Sequence, residues 1–232
     1  AHFSINASTE FMKTSIRQSQ SAIDQISKIT NQKTSESHIK KVDEAIGELI
    51  EVITNFEYLD DVYLFDMSGV SSDVANLGKN LLSIFNTAFG NFLDQKDNWQ
   101  DYCKRNTVKQ IIMDNLNNII GQNDQNLSSI VSLLNAFTQN THTDTPPTSN
   151  WIVKSKLPNK KINYHLNTAK IDVSNHLQSL IWSKAAGVIF TSATLTSLGS
   201  FDRMNQQLGL KEKENRYLRL ASPFNYKSVD FI

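Results

Sequence analysis

The sequence predicts a multidomain α+β protein, in which an α-helical bundle is followed by a partial α/β segment. Apolar residues recur at helical spacing through the first 140 residues, and proline is absent from residues 1–145, which permits long helices. After that point the pattern changes to short apolar runs that alternate with short amphipathic stretches. At 232 residues the chain is long enough to bury a substantial core.

Two segments of the first half carry a continuous apolar stripe, and three further stretches, 5–29, 98–121 and 125–139, fit helices. The first stripe consists of Ile39, Val42, Ile46, Leu49, Ile50, Ile53 and Phe56. The second consists of Val74, Leu77, Leu81, Leu82, Phe85, Phe89 and Phe92. These patterns predict an antiparallel helical bundle, and they indicate no chemistry by themselves.

The polar stretch THTDTPPTSN, residues 141–150, holds two of the four prolines and predicts a boundary between domains 1–145 and 146–232. Two extended runs follow it, Trp151–Leu157 and Lys161–Asn167, and they predict a hairpin or two adjacent strands. The remaining predicted elements are a helix over 173–182, a strand over Gly187–Thr191, a helix from Ser200 and a strand over Tyr217–Ala221. This order favours a parallel sheet covered by helices, of which 80 or so residues supply only a part.

The overall composition is that of an ordinary globular protein, with 39% hydrophobic and 20% charged residues. No stretch approaches the ~18 apolar residues of a membrane helix, and the N-terminus does not have the pattern of a secretory signal, so the default compartment is the cytoplasm. The single cysteine, Cys103, excludes an internal disulfide and a multi-cysteine metal site. We expect Cys103 to be a half-buried helix residue rather than a catalytic thiol.

The net charge of zero conceals an uneven distribution. Residues 1–150 carry 11 Lys/Arg and 18 Asp/Glu, whereas residues 151–232 carry 12 and 5. The basic half could face nucleic acid or nucleotide phosphates, and the alternative is that the two halves attract each other.

The stretch GVIFTSATLTSLGSF, residues 187–201, joins an apolar run to a series of small and hydroxyl-bearing residues. In open parallel sheets, ligands bind outside the carboxyl ends of the strands, which is where Thr191–Thr194 would lie. Hydroxyl groups there can hydrogen-bond a phosphate-bound water, a carboxylate or a neighbouring loop. The alternative is a capped turn that binds nothing.

The residues of this stretch resemble one enzyme family. TSATL after an apolar strand is similar to motif III of superfamily 2 helicases. The longer run LIWSKAAGVIFTSATLTSLGSFDRMNQQLGLKEK, together with ASPFNY, resembles DinG-type helicases, bacterial relatives of the XPD helicases. This resemblance covers roughly residues 171–226, and its motifs occur in one ordered series.

The resemblance implies an architecture for both halves. In this family a helical arch is inserted into the first RecA-like motor domain, between the Asp-Glu-Ala-His box and motif III. Residues 1–145 would then be the arch-like domain, and residues 146–232 a partial RecA-like segment. Ala1-His2 fits the last two letters of the box, so His2 is either a motif residue or vector-derived.

The resemblance also assigns roles to individual residues. Ser192, Ala193 and Thr194 would couple the nucleotide site to the DNA site, and Thr196 and Ser197 would lie near the DNA path. A hinge toward the second motor domain would consist of Ser222, Pro223 and Phe224. Because the helical half is acidic overall, only a local basic patch in it could face DNA, and that patch consists of Lys104, Arg105 and Lys109. The alternative is that these residues form a solvated helix face. A second basic group, to which no role is assigned, consists of Lys154, Lys156, Lys160 and Lys161.

The implied activity is ATP-driven, 5′-to-3′ unwinding of DNA, with single-stranded or forked DNA as the partner and ATP and Mg²⁺ as cofactors of the parent enzyme. An iron–sulfur cluster would lie elsewhere in such a parent. The Gly-x-x-x-x-Gly-Lys-Ser/Thr loop that binds phosphates is absent from these 232 residues. We therefore expect this chain alone to hold no cofactor and to be inactive.

Two other functions are compatible with the sequence. One is a non-catalytic helical interaction or adaptor module with a degenerate helicase tail, and the other is an RNA helicase of similar motor type. In either case we expect no membrane association, and exposed edges of the partial sheet could support a dimer.

Overall fold

A computed structural model describes residues 4–34, 36–65, 69–139, 148–192, 194–197, 199–211 and 215–220. The chain forms two compact units, Ala1–Ile171 and Asp172–Ile232. The described residues combine helices with an antiparallel sheet, so the predicted α+β class is confirmed. No described helix is both long enough and apolar enough to cross a membrane.

The first unit contains four long helices: α1, Thr9–Thr30; α2, Ile39–Thr54; α3, Ser72–Arg105; and α4, Gln110–Thr138. The predicted stripes face the core, as the complete burial of Ile46, Leu49 and Phe85 illustrates. Gly78 permits close packing of α3 on α4, because a Cβ atom at this position would lie 2.6 Å from Cγ2 of Thr138.

Two predicted helix boundaries are wrong. The helix expected over residues 5–29 begins at Thr9, since residues 4–8 form a strand and the Ser8 hydroxyl accepts a hydrogen bond from the Phe11 amide at 3.1 Å. The break expected near residue 123 lies instead at 106–109, where Asn106 adopts an extended conformation. Helix α4 continues through residue 123 with the Asn123 side chain donating to the Ile119 carbonyl at 2.8 Å.

A four-stranded sheet in the first unit has the order β1-β4-β3-β2, and every pair is antiparallel. Its strands are β1, Ser4–Ser8; β2, Val62–Leu64; β3, Thr148–Lys156; and β4, Ile162–Lys170. Strands β3 and β4 form the predicted hairpin, in which the buried residues Ile152 and Leu166 are paired. The sheet is tied to α1 by Asn163, whose side-chain oxygen accepts from the Thr9 hydroxyl at 3.0 Å and the Glu10 amide at 3.2 Å.

The hairpin belongs to the first unit, although the sequence assigned it to the second half. With the division after Ile171, the first unit carries 16 Lys/Arg and 18 Asp/Glu and the second carries 7 and 5. The two units are therefore close to neutral, and the hairpin lysines lie in the same unit as the acidic helices. The assignment of an arch-like domain and a RecA-like segment to these residues stays a prediction.

The second unit contains helix α5, Ser174–Leu177, which continues as a π-helical turn over Gln178–Trp182, and helix α6, Asp202–Leu208. Both helices were predicted. The two strands expected in this unit, Gly187–Thr191 and Tyr217–Ala221, are not formed by the described residues, and Ala221 lies outside them. A parallel strand requires hydrogen-bonding neighbours, and no described strand lies next to either segment.

Candidate motif III site

The segment 187–201 lies in the second unit as irregular backbone rather than as an interior strand. Val188 is 47% exposed and Ile189 is 89% exposed, whereas a central strand would bury both. Phe190 is the better anchored residue, because its ring meets that of Trp182 edge-on with the centroids 5.5 Å apart. The prediction of a buried strand here is therefore wrong for this chain.

Ser192 and Thr194 form a hydrogen-bonded turn. The Ser192 hydroxyl oxygen accepts from the Thr194 amide at 3.1 Å, and the two hydroxyl oxygens are 3.0 Å apart. A serine that bonds the backbone two residues ahead stabilises this kind of turn locally. Both side chains are exposed, so the hydroxyl groups are accessible to a ligand, while Ala193 lies outside the described residues.

The next turn fixes the start of α6. Ser197 and Ser200 exchange two backbone hydrogen bonds, of 2.9 and 3.0 Å, around Gly199, whose φ is +84°. The Ser200 hydroxyl accepts from the Asp202 amide at 3.0 Å. The N-cap of α6 is Phe201, which makes no side-chain capping hydrogen bond, so the predicted helix start at Ser200 is one residue early. Ser197 is exposed, and Thr196 is half-buried.

Helix α6 is anchored within the second unit by contacts along its C-terminal half and just after its end. The Trp182 indole donates to the Leu208 carbonyl at 2.7 Å. Gly209 ends the helix with φ +66°, and a Cβ atom there would lie 2.8 Å from the Ser174 carbonyl oxygen. The Tyr217 hydroxyl donates to the Asn205 side chain at 2.9 Å. The sequence did not single out these anchoring residues, since each contact joins positions distant along the chain.

A cavity of about 1300 Å³ borders this segment within the second unit. The residues that line it include Ser192, Thr196, Arg216 and Arg219. Its aromatic lining residues are Trp182, Phe190, Phe201 and Tyr217. Hydroxyl and guanidinium groups suit a polar or anionic ligand. The described residues contain no group of three or more metal-ligating side chains of the His, Cys, Asp and Glu types.

The other predicted site residues lie elsewhere. Lys104, Arg105 and Lys109 all flank the exposed turn between α3 and α4, in the first unit. Lys104 forms a 2.9 Å ion pair with Asp101, and this hydrogen bond and charge lower the pKa of Asp101. The charge of Arg105 also lowers the pKa of Asp101, to a smaller extent. The residues His2, Ser222, Pro223 and Phe224 lie outside the described residues.

Cys103 is half-buried in α3, as expected. Burial raises the pKa of its thiol, and a raised pKa lowers the fraction of the nucleophilic thiolate. This environment is that of a structural cysteine.

Comparison with known proteins identifies relatives of one kind. The ATP-dependent DNA helicase DinG of Photobacterium profundum is 39% identical to the chain over 83 residues. The chain resembles DinG. The DinG proteins of Salmonella typhimurium and Escherichia coli (strain K12) are 38% and 37% identical over 81 residues. The resemblance predicted from the ordered motifs is thereby confirmed.

The match to DinG is partial in both directions. The alignment with the Photobacterium protein covers 35% of this chain and 12% of that protein. The alignment with the Escherichia coli protein covers 34% of this chain and 11% of that protein. No protein-family profile matches the chain. The matched length of 81–83 residues exceeds the region in which the helicase motifs were found, and it leaves most of this chain outside the alignment.

Proposed function

We propose that this chain is part of an ATP-dependent DNA helicase of the DinG and XPD-like kind. It would comprise the helical arch and the motif III part of the first RecA-like motor domain. The observation that carries the proposal is the ordered series of helicase motifs, supported by 37–39% identity to proteins named DinG. The chain's small share of those relatives is what a piece of a longer helicase would give.

In this proposal the turn at Ser192 and Thr194 relays the nucleotide state to the DNA-contacting side. Support comes from its exposed, hydrogen-bonded hydroxyl groups, which a nucleotide-bound water or a neighbouring loop could reach. The exposed Ser197, in the next turn, would lie toward the DNA. These roles depend on coupling through small hydroxyl groups rather than on a catalytic base.

Substrate and cofactor chemistry would come from the rest of the parent enzyme. A phosphate-binding Gly-Lys-Ser/Thr loop and an Asp-Glu pair for Mg²⁺ would bind ATP, and an iron–sulfur cluster, where present, would lie elsewhere in the parent. Because this chain lacks such a loop, we expect no ATP hydrolysis above background from it alone. Single-stranded or forked DNA would be the partner, and the compartment would be the cytoplasm.

One observation favours a second candidate, a non-catalytic helical interaction module. The first unit has a hydrophobic core of its own, in which large side chains such as Trp99, Phe92 and Phe137 are fully buried. A unit with such a core could act as an adaptor without a motor. The flanking reading frame separates the two candidates. An in-frame Gly-Lys-Ser/Thr loop upstream supports the helicase, and a start codon immediately before the Ala1 codon supports the adaptor.

The helicase proposal is tested by Thr194→Ala in the parent enzyme. The substitution removes one exposed hydroxyl group and should lower the stability of the fold only slightly, so the fold should be retained. We expect the rate of unwinding to fall about tenfold, while DNA-stimulated ATP hydrolysis changes by less than about twofold. Both rates are measured on the same forked substrate.

The matched control is Thr34→Ala, at an exposed threonine of the first unit. It should leave both rates unchanged. An equal loss of unwinding and hydrolysis in the Thr194 variant, or no loss of either, would contradict the coupling role.

A further inference from the structure

We propose that the tip of the β3–β4 hairpin binds the phosphate backbone of single-stranded DNA. The residues involved are four lysines, called here the hairpin lysine cluster: Lys154, Lys156, Lys160 and Lys161. The choice of DNA as the polyanion rests on the proposed function. The surface itself is defined by its geometry and charge.

The hairpin turn holds the cluster in a fixed arrangement. The Leu157 amide donates to the Lys161 carbonyl at 2.9 Å, and the Lys160 amide donates to the Leu157 carbonyl at 2.8 Å. The Lys161 amide donates to the Asn159 side chain at 3.1 Å, and Lys160 has a φ of +63°. Such a turn presents its lysines with less loss of backbone entropy on binding than a flexible loop would.

The two strand lysines extend the cluster along one face of the sheet. Lys154 and Lys156 are two residues apart on β3 and therefore lie on the same face of the sheet. They pair with Tyr164 and Ile162 of β4, respectively. The Lys154 ammonium lies 3.8 Å from the centroid of the Tyr58 ring, which keeps this side chain in place. A shallow hollow of about 180 Å³ is bordered by Lys154, Lys156 and Asp61.

The cluster carries a net positive charge. Its four lysines form no ion pair within the described part of the chain, in contrast to Lys96, which pairs with Asp124. Asp61 is the carboxylate that borders the hollow. Lys156, Lys160 and Lys161 are exposed, so their counterions can be released when phosphates replace them.

The contact should be independent of base sequence. The Tyr58 ring is covered by Lys154, so stacking of a base on that face is blocked. Lysine ammonium groups recognise phosphates as point charges. A single strand, whose backbone is flexible, can follow the short convex tip of a hairpin more closely than a duplex can.

The test measures binding of a fluorescently labelled 20-nucleotide oligo-dT to the full 232-residue chain by anisotropy. The variant is Lys156→Gln/Lys160→Gln/Lys161→Gln, in which Lys154 is retained because it packs on Tyr58. We expect the dissociation constant at low salt to rise at least about tenfold. The plot of log affinity against log salt should become shallower, with the magnitude of its negative slope smaller by about 2. This value corresponds to about 0.7 for each of the lost phosphate contacts on a single strand.

The control is Lys28→Gln/Lys33→Gln/Lys79→Gln, which removes the same charge from exposed positions of the first unit. It should change the dissociation constant by less than about twofold, and circular dichroism confirms that both variants are folded. Equal weakening by the two variants, no weakening by the hairpin variant, or no oligo-dT binding by the chain would overturn the proposal. A duplex that competes as well as the single strand would overturn the single-strand assignment.

These results are separable from the test of the proposed function. The Thr194 experiment reports coupling in the parent enzyme, whereas the hairpin experiment reports DNA affinity of this chain. If one experiment contradicts its proposal, the other proposal can still be tested by its own experiment.

Discussion

His38 is a buried imidazole whose protonation the surrounding structure opposes. Its Nε2 accepts from the Asn91 side chain at 3.0 Å, and its Nδ1 has no hydrogen-bond partner among the described residues. Burial chiefly, and then the charge of Lys41, lowers the pKa of His38 below 6.5, with Glu36 acting in the opposite direction. The folded state therefore favours the neutral side chain.

This shift predicts a pH dependence of stability. Because the unfolded chain binds a proton at His38 more readily, the free energy of unfolding should fall as the pH drops through 6.5 toward the lower pKa of the folded state. Urea unfolding at about pH 7.5 and about pH 5.5 measures the effect, in a range above the titration of exposed carboxylates. His38→Gln should flatten the dependence, and an unchanged slope in that variant would contradict the argument.

At the scale of the element, the position of α6 depends on one residue after its end. Gly209 combines a left-handed conformation with a close approach to the backbone of Ser174, so both the backbone and the packing require glycine there. The start of α6, by contrast, is set by the turn around Ser200, which follows the motif III segment directly. Anchoring at both ends links the motif to the short helical part of the second unit.

Gly209→Ala should loosen this part of the second unit. The left-handed conformation alone costs an alanine about 1–2 kcal/mol, and the contact with the Ser174 carbonyl adds to that cost. Hydrogen exchange of the α6 amides should become faster by about tenfold or more. Gly187→Ala is the control, since a Cβ atom there meets nothing within 4 Å, and equal acceleration in both variants would exclude the proposed anchor.

At the scale of the whole molecule, the second unit exposes apolar side chains on two segments of irregular backbone. Ile189 is 89% exposed, and Leu218 and Leu220 are each 78% exposed. Exposed apolar surface of this kind promotes association. The predicted dimer through exposed sheet edges stays a prediction. The described residues of these two segments form no strand, so they offer an apolar route to association that can be tested separately.

We expect the molecular mass from size-exclusion chromatography with light scattering to rise with protein concentration. Ile189→Lys/Leu218→Lys should suppress the rise, because burying lysine in an interface is costly. Ile111→Lys, at a 70% exposed isoleucine of α4, tests whether any added lysine has this effect. A mass independent of concentration in the unsubstituted chain would exclude association through these segments.

The sequence predicted much of the helical first unit and missed its boundaries. The stripes through Ile46 and Phe85 predicted α2 and α3, because helical periodicity depends on residues only three or four positions apart in the sequence. The break at Asn106 was missed, since a polar residue in that position is equally compatible with a continuous helix. For the site, the sequence predicted a helix that starts close to Ser200, but it could not predict the anchoring contact from Trp182 to Leu208.

The sequence by itself determined the α+β class, the main helices, the hairpin and the resemblance to DinG, because spacing and motif order are local properties of the chain. The tertiary structure decided that the hairpin pairs with residues 4–8, more than 150 positions away, and that the sheet is antiparallel. It also decided that residues 187–191 form no strand, despite their apolar pattern. A strand exists only where a neighbour accepts and donates its backbone hydrogen bonds, and that neighbour is not specified by the residues of the strand itself.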